Sequence, residues 1–208
     1  MSTLLSPAPE LAEDEIPWGE LWPISVEVYH AMIASGLLDD HNVELLHGRL
    51  VTKMGKNPPQ NVSGRRTDIA LTRAAPEGWH VTYQSSLTLV DSEPEPDLMV
   101  VRGQVEDYSE RNPGPSDVGL AVEVAQASLR RDRGLKRRMY AAAEIPCYWI
   151  VNLVDAVIET YADPRGGDYT VRRDYRRGEA VPLILDRVQA ALIPVADLLA
   201  SRGLKSTT

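Results

Sequence analysis

A single cysteine among 208 residues leaves no partner for an intrachain disulfide. Cys147 lies in the apolar run CYWIV, where a small core side chain is expected rather than a nucleophile or a redox centre. Long apolar runs are missing as well. No stretch approaches the roughly 20 apolar residues that span a bilayer, and the opening MSTLLSPAPELAEDEIPW has no basic segment of the kind that starts a secretory signal. A cytoplasmic protein is expected. Positive charge is in deficit, with 22 Lys and Arg against 30 Asp and Glu and a net charge of −8. That balance excludes a sequence-independent nucleic-acid coat, which needs clustered cations over much of its surface. There is no internal repeat and no low-complexity tract. Neither a zinc-finger spacing nor a helix-turn-helix pattern is present to read a DNA sequence.

With 43% hydrophobic residues, the chain has enough apolar matter for one sizeable core. Residues 1–23, proline-rich and acidic, read as a tail or arm; 24–202 read as one domain and 203–208 as a C-terminal tail. ISVEVYHAMIASG predicts a short helix closed by Gly36, and NVELLHGRLV an extended stretch turning near His47 and Gly48. KNPPQ breaks the chain before a helix over about 60–75 that carries Val62, Ile69 and Leu71. Strands follow at WHVTYQSSLTLV, PDLMVV and GLAVEV, then a helix over about 129–143 ended by EIP, then the buried strand CYWIVNL. The remainder predicts two or three strands and a short helix around ADLL. The order helix, strand, strand, strand, helix, strand indicates an α/β protein, a mixed sheet with helices on its faces. CYWIVNL and the apolar C-terminal segment exceed what a small monomer needs, so a homodimer is expected.

One residue breaks this pattern. In LAVEV, period-two alternation puts Leu120, Val122 and Val124 on one face and Ala121, Glu123 and Ala125 on the other. A carboxylate flanked by alanines in a core strand requires a cation, a metal or a proton. Asp97 opens the next strand upstream, after the prolines of EPEPD, at a position suited to the edge of a cleft. Lys136 lies about two turns into the helix after LAVEV and can return its ammonium toward Glu123. Two acids sharing one divalent cation, with a lysine beside them, form a phosphodiester-cleaving set. Plainer readings stand beside it. Asp97 can end a turn, Glu123 can pair with an arginine, and Lys136 can pair with Asp132 on a wet helix face. Around Lys136 runs a basic stretch, Arg130, Arg131, Arg133, Arg137 and Arg138, and a second group comprises Arg172, Arg173, Arg176 and Arg177. Such runs are commonly solvated faces.

EPEPDLMVVRG, GLAVEVAQASLRRDRGLKRRMYAAAEIPCYWIVNL and VELLHGRLV together resemble the Uma-type restriction endonuclease family of the PD-(D/E)XK nuclease superfamily, over about residues 25–200. The resemblance implies a restriction-endonuclease-like core and hydrolysis of DNA with Mg²⁺ or Mn²⁺. It matches the family's aspartate to Asp97, its glutamate to Glu123, its helix-borne lysine to Lys136 and its early acid to Glu44, with Asp97, Glu123 and Glu44 as metal ligands. Ala125 stands where the superfamily more often has the lysine, and Gln60 where the family has a histidine. Glutamine hydrogen-bonds but does not ionise. Gln60, Arg130, Arg131 and Arg137 are then the substrate-contacting candidates. Competing expectations are a catalytically silent nucleic-acid or partner-binding module, a carboxylate-pair hydrolase without need of Lys136, and a purely structural oligomer.

Overall fold

The computed structural model describes residues 21–200, so nearly all of the predicted arm 1–23 and the whole predicted tail 203–208 lie outside the described residues. The chain runs through α1 (Val26–Ala34), the hairpin β1 (Val43–Leu46) and β2 (Arg49–Thr52), α2 (Pro58–Ala74), β3 (Trp79–Tyr83), β4 (Leu98–Arg102) and β5 (Val118–Ala125). After β5 come α3 (Leu129–Arg131), a π-helical turn (Asp132–Lys136) and α4 (Arg137–Ala142). The chain then forms β6 (Cys147–Asn152), β7 (Val157–Arg165), β8 (Asp168–Arg176), the hairpin β9 (Ala180–Leu185) and β10 (Val188–Pro194), and α5 (Val195–Leu198). Strands β3 to β8 form one six-stranded sheet in sequence order, in which only β5 and β6 are parallel. The α3–α4 segment is the crossover that a parallel pair requires. The predicted mixed sheet with helices is therefore present. No helix among the described residues is long and apolar enough to cross a membrane.

Local chemistry explains most boundaries. Asn57 caps α2, its side chain accepting from the Gln60 N–H while Gln60 Oε1 accepts from the Asn57 N–H. Pro58 and Pro59 occupy the first turn, where a missing N–H costs nothing, so the helix starts at the prolines predicted to precede it. It ends as Ala75 turns extended before Pro76. In the β1–β2 turn His47 and Gly48 both have positive φ, the conformation of a two-residue hairpin loop. After β6 there are four strands, not two or three; β9 (AVPLIL) escaped because a central proline disguised it. WHVTYQSSLTLV is a strand only over Trp79–Tyr83.

The two faces of β5 are used as the alternation dictated. Leu120, Val122 and Val124 pack against Leu71 of α2 and against Val181, Leu183, Ile193 and Leu198 from β9, β10 and α5. Ala121 and Ala125 lie in a second core with Met139 and Tyr140 of α4 and Tyr148 and Ile150 of β6. Gly119 makes the first core possible, because a Cβ there would fall 2.6 Å from Leu185 and 2.7 Å from the Trp79 ring. Of the apolar residues that α2 carries, Val62 and Ile69 are exposed and Leu71 is buried. Every residue of β6 is buried within the chain's own sheet, whereas Val188 and Leu192 of β10 remain exposed. Burial pushes the Cys147 thiol up to about 11, which agrees with a core role.

The α3–α4 segment is fastened to the sheet by a buried acid. Glu159 of β7, fully covered, accepts from Arg133 Nε at 3.0 Å, from Asn152 Nδ2 at 2.6 Å and from the Tyr161 hydroxyl at 2.7 Å, with Arg172 Nη2 at 3.3 Å. Burial opposes its charge, but the hydrogen bonds from Arg133, Tyr161 and Asn152 hold its carboxyl below the usual range. Arg133→Ala strands that carboxylate, and an equilibrium urea melt is expected to show a loss of about 3 kcal/mol, the low end for a broken buried pair because Arg172 remains. A loss under about 1 kcal/mol would identify the pair as an ordinary surface bridge.

Candidate active site

The site opens where β4 stops pairing with β5. The register places Leu98 opposite Val122, so the position opposite Val124 falls on Pro96, which has no N–H to give. Side chains complete the ladder instead. Asp97 Oδ2 accepts from the Val124 N–H at 2.7 Å, and Gln60 Nε2 donates to the Val124 carbonyl at 3.2 Å. Proline thus splits the strands, and Asp97 and Gln60 are drawn into the split. With one end of its amide in the α2 cap and the other on Val124, Gln60 is a structural link as it stands.

Glu123, one residue earlier on β5, points to the opposite face and is buried. Its Oε1 accepts from Lys136 Nζ and from the Tyr140 hydroxyl, each at 2.9 Å. Lys136 Nζ also lies 3.1 Å from Glu44 Oε2. With 3% of its side chain exposed, Lys136 cannot be the wet partner of Asp132. The π-helical turn explains the alignment. Its wider hydrogen bond, Arg137 N–H to Asp132 carbonyl, absorbs an extra residue. Asp132, Lys136 and Tyr140, which would drift by about 40° per four-residue step on a regular α-helix, all stay turned to the protein interior.

These groups line one cavity of about 290 Å³, which holds five carboxylates, Glu44, Glu95, Asp97, Glu123 and Asp132, and four cations, Lys53, Lys56, Arg131 and Lys136. Burial pushes Glu123 up to about 8, against the pull of Lys136, and raises Asp132 to about 6. Burial acts against the charge on Lys136, yet Glu123, Glu44 and Asp132 hold its pKa above the ordinary lysine value. Within one contact pair the acid behaves as if poorly paired and the lysine as if well paired. One ammonium lies between two carboxylates, so burial outweighs its pull on Glu123 while both acids act together on Lys136. Lys136 is therefore a cation, and Glu123 is a site short of positive charge.

The donor set suits a hard dication in kind, being all oxygen. Two of its buried oxygens, Glu44 Oε1 and Asp132 Oδ2, have no hydrogen-bond partner, which is what an oxygen-ligated ion satisfies. As the side chains stand, Lys136 lies between Glu44 and Glu123 and Lys56 lies on Asp97. Among the described residues no three His, Cys, Asp or Glu side chains converge on one point.

The basic run is divided. Arg131 reaches the cavity, donating to the Thr52 carbonyl at 3.3 Å with Glu44 Oε1 at 3.8 Å. Arg130 and Arg138 are exposed along an adjoining groove that shares Met54, Ala127, Ser128 and Arg131 with the cavity. Arg137 points elsewhere, pairing with Asp168 at 2.7 Å beside the Tyr161 ring, and Arg133 is committed to Glu159. In the second group Arg172 pairs with Asp174 and Glu159, and Arg177 caps the Leu199 carbonyl. Sequence reasoning missed Lys53, Lys56, Glu95 and Asp132 as site residues. Lys53 and Lys56 flank Met54 and Gly55, just before NPPQ, so a basic pair beside the helix cap was the available signal.

Comparison with known proteins places the chain in a family and a fold. No curated protein matches the chain. One similar solved structure is that of a protein from Anabaena variabilis described as a "putative nuclease belonging to DUF820", with a TM-score of 0.59 and 11% identity, covering 75% of this chain and 88% of that one. At that identity the likeness concerns the fold alone. The family model Uma2, described as "Putative restriction endonuclease", matches residues 26–192, which span the six-stranded sheet, the cavity, the first hairpin and all but the last two residues of the second. The chain belongs to the Uma2 restriction-endonuclease-like family.

Proposed function

We propose that the chain is a cytoplasmic endonuclease that hydrolyses DNA phosphodiester bonds with magnesium or manganese. The observation that carries the reading is the buried Lys136, ion-paired to Glu123 and Glu44 in the cavity that also holds Asp97. A dication held by Asp97, Glu123 and Glu44 would acidify a bound water and offset charge on the phosphate. Lys136 steadies the attacking water or the negative charge that develops on the phosphate oxygens, from a position where water is largely excluded. Glu44 and Tyr140 keep Lys136 and Glu123 aligned. Arg131, with Arg130 and Arg138 along the adjoining groove, contacts flanking phosphates and positions the strand without reading bases.

Cleavage of supercoiled, linear and single-stranded DNA with Mg²⁺ or Mn²⁺ tests this, with Asp97→Asn as the control. Asparagine can still accept from the Val124 N–H, so the fold is kept while the ligand charge is lost. The expected loss in rate is about a hundredfold or more. One observation favours a second reading, a silent nucleic-acid-binding module: both ends of the Gln60 amide are occupied structurally, at the position where a histidine is typical of the family. Absence of cleavage with every metal and DNA form, in a folded protein that binds DNA, would select it.

A further inference from the structure

Lys56 has no part in the mechanism above, yet it holds a carboxylate of the cavity whose two oxygens are both closely engaged. Its ammonium is in contact with Asp97 Oδ1, while Oδ2 is committed to the Val124 N–H. Glu44 Oε1 and Asp132 Oδ2, by contrast, are buried without a hydrogen-bond partner. Asp97 therefore joins an ion site only if Lys56 leaves, because a dication and an ammonium on one oxygen repel each other at close range.

The local architecture allows departure. Lys56 is the last residue before the Asn57 cap, in a stretch whose backbone is tied at Lys53, through the Asn42 carbonyl, and at Asn57, through Gln60. Between those ties Met54 and Gly55 are exposed, and a Cβ on Gly55 would meet nothing within 4 Å. The Lys56 side chain is about one quarter exposed, at 25%, and its long stem gives the ammonium freedom to swing outward into the cleft. Lys136 differs in both respects, being buried at 3% and held by two acids.

We propose that Lys56 is a resident counter-ion of Asp97 that an incoming divalent cation displaces, freeing its ammonium to contact the phosphate backbone of DNA in the cleft. The inference rests on the metal-dependent reading of the site and adds to it a residue that keeps Asp97 neutralised until metal arrives. Removal of the competitor then strengthens metal binding, while removal of an equal charge on the same segment does so less. Lys53, paired with Glu95 at 2.6 Å, supplies the comparison.

Mn²⁺ titration by calorimetry is expected to show Lys56→Ala binding about fivefold more tightly than wild type, with Lys53→Ala within about twofold. Brief acetylation read by mass spectrometry is expected to modify Lys56 faster once Mg²⁺ is added. In the presence of Ca²⁺, Lys56→Ala should bind duplex DNA more weakly than wild type, with a shallower salt dependence. Unchanged or weaker Mn²⁺ affinity in Lys56→Ala, with wild type binding normally, overturns the counter-ion role alone; so does unaltered acetylation of Lys56 when Mg²⁺ binds. If neither wild type nor variant binds Mn²⁺, the metal-dependent reading fails and this inference with it. Lys56→Gln, which keeps a hydrogen-bond donor toward Asp97, checks that the effect follows charge rather than a disturbed cap.

Discussion

Lys136→Met should both abolish the proposed cleavage and destabilise the protein. On the proposed mechanism the expected loss in single-turnover cleavage is about a hundredfold or more, because a buried ammonium beside the phosphate would stabilise charge that exists only in the transition state. The stability cost follows from burial. Had Lys136 paired with Asp132 on a wet helix face, its removal would cost at most about 0.5 kcal/mol. With its side chain 3% exposed and Glu123 and Glu44 at 2.9 and 3.1 Å, removal leaves two buried acids without their shared cation. Urea melts of the metal-free protein near pH 9, above the Glu123 value of about 8, should then show a loss of about 3 to 5 kcal/mol. The gap should narrow as pH falls through about 8, where Glu123 takes up its proton, and on addition of Mg²⁺, which would supply positive charge. Lys136→Arg should rescue neither property well, since a planar fork does not fit between two acids spaced for a compact ammonium. Wild-type stability in Lys136→Met would show that the Lys136 pairs contribute no net stability.

The second large effect concerns Glu123 and pH. Burial lifts its carboxyl from the ordinary 4.5 to about 8 in the folded protein. A raised pKa means that the folded state binds the proton more tightly than the unfolded chain does. The corresponding stability is fully present below about pH 4.5 and is lost as pH rises through about 8. Asp132, raised to about 6, acts in the same direction over a lower window. Lys136, also raised, holds its contribution up to its unfolded value of 10.5 and does not offset this loss. Metal-free protein should therefore weaken by a few kcal/mol between pH 5 and 8, with Glu123→Gln removing much of the slope. The proton must leave before an ion binds, so Mn²⁺ affinity in the wild type should climb over the same range. Glu123→Gln should lose that affinity and, with it, cleavage by about a hundredfold or more. A flat stability profile for wild type over pH 5 to 8 would show that Glu123 is already fully neutralised by Lys136.

Much of this molecule is written in local sequence. The period-two alternation of LAVEV assigned Leu120, Val122 and Val124 to one core and Ala121, Glu123 and Ala125 to the other face, because side-chain direction in a strand depends only on position along it. The boundaries of α1, the His47–Gly48 turn and the mixed order of helices and strands followed from equally short-range signals. Other features had no local signature. Which cation meets which acid depends on where distant segments touch. Lys136 found Glu44 on a hairpin and not Asp132 on its own helix. Lys56 found Asp97, and Gln60 bridged 64 residues to the Val124 carbonyl. Arg137, indistinguishable by sequence from Arg131, turned away to Asp168. Charge carries no periodicity that names its partner, and its strength depends on desolvation, which only packing creates. The sequence alone determined that an acid would be buried on the small-residue face of β5. The tertiary structure decided that it would share one lysine with a second acid and so remain open to a proton or an ion.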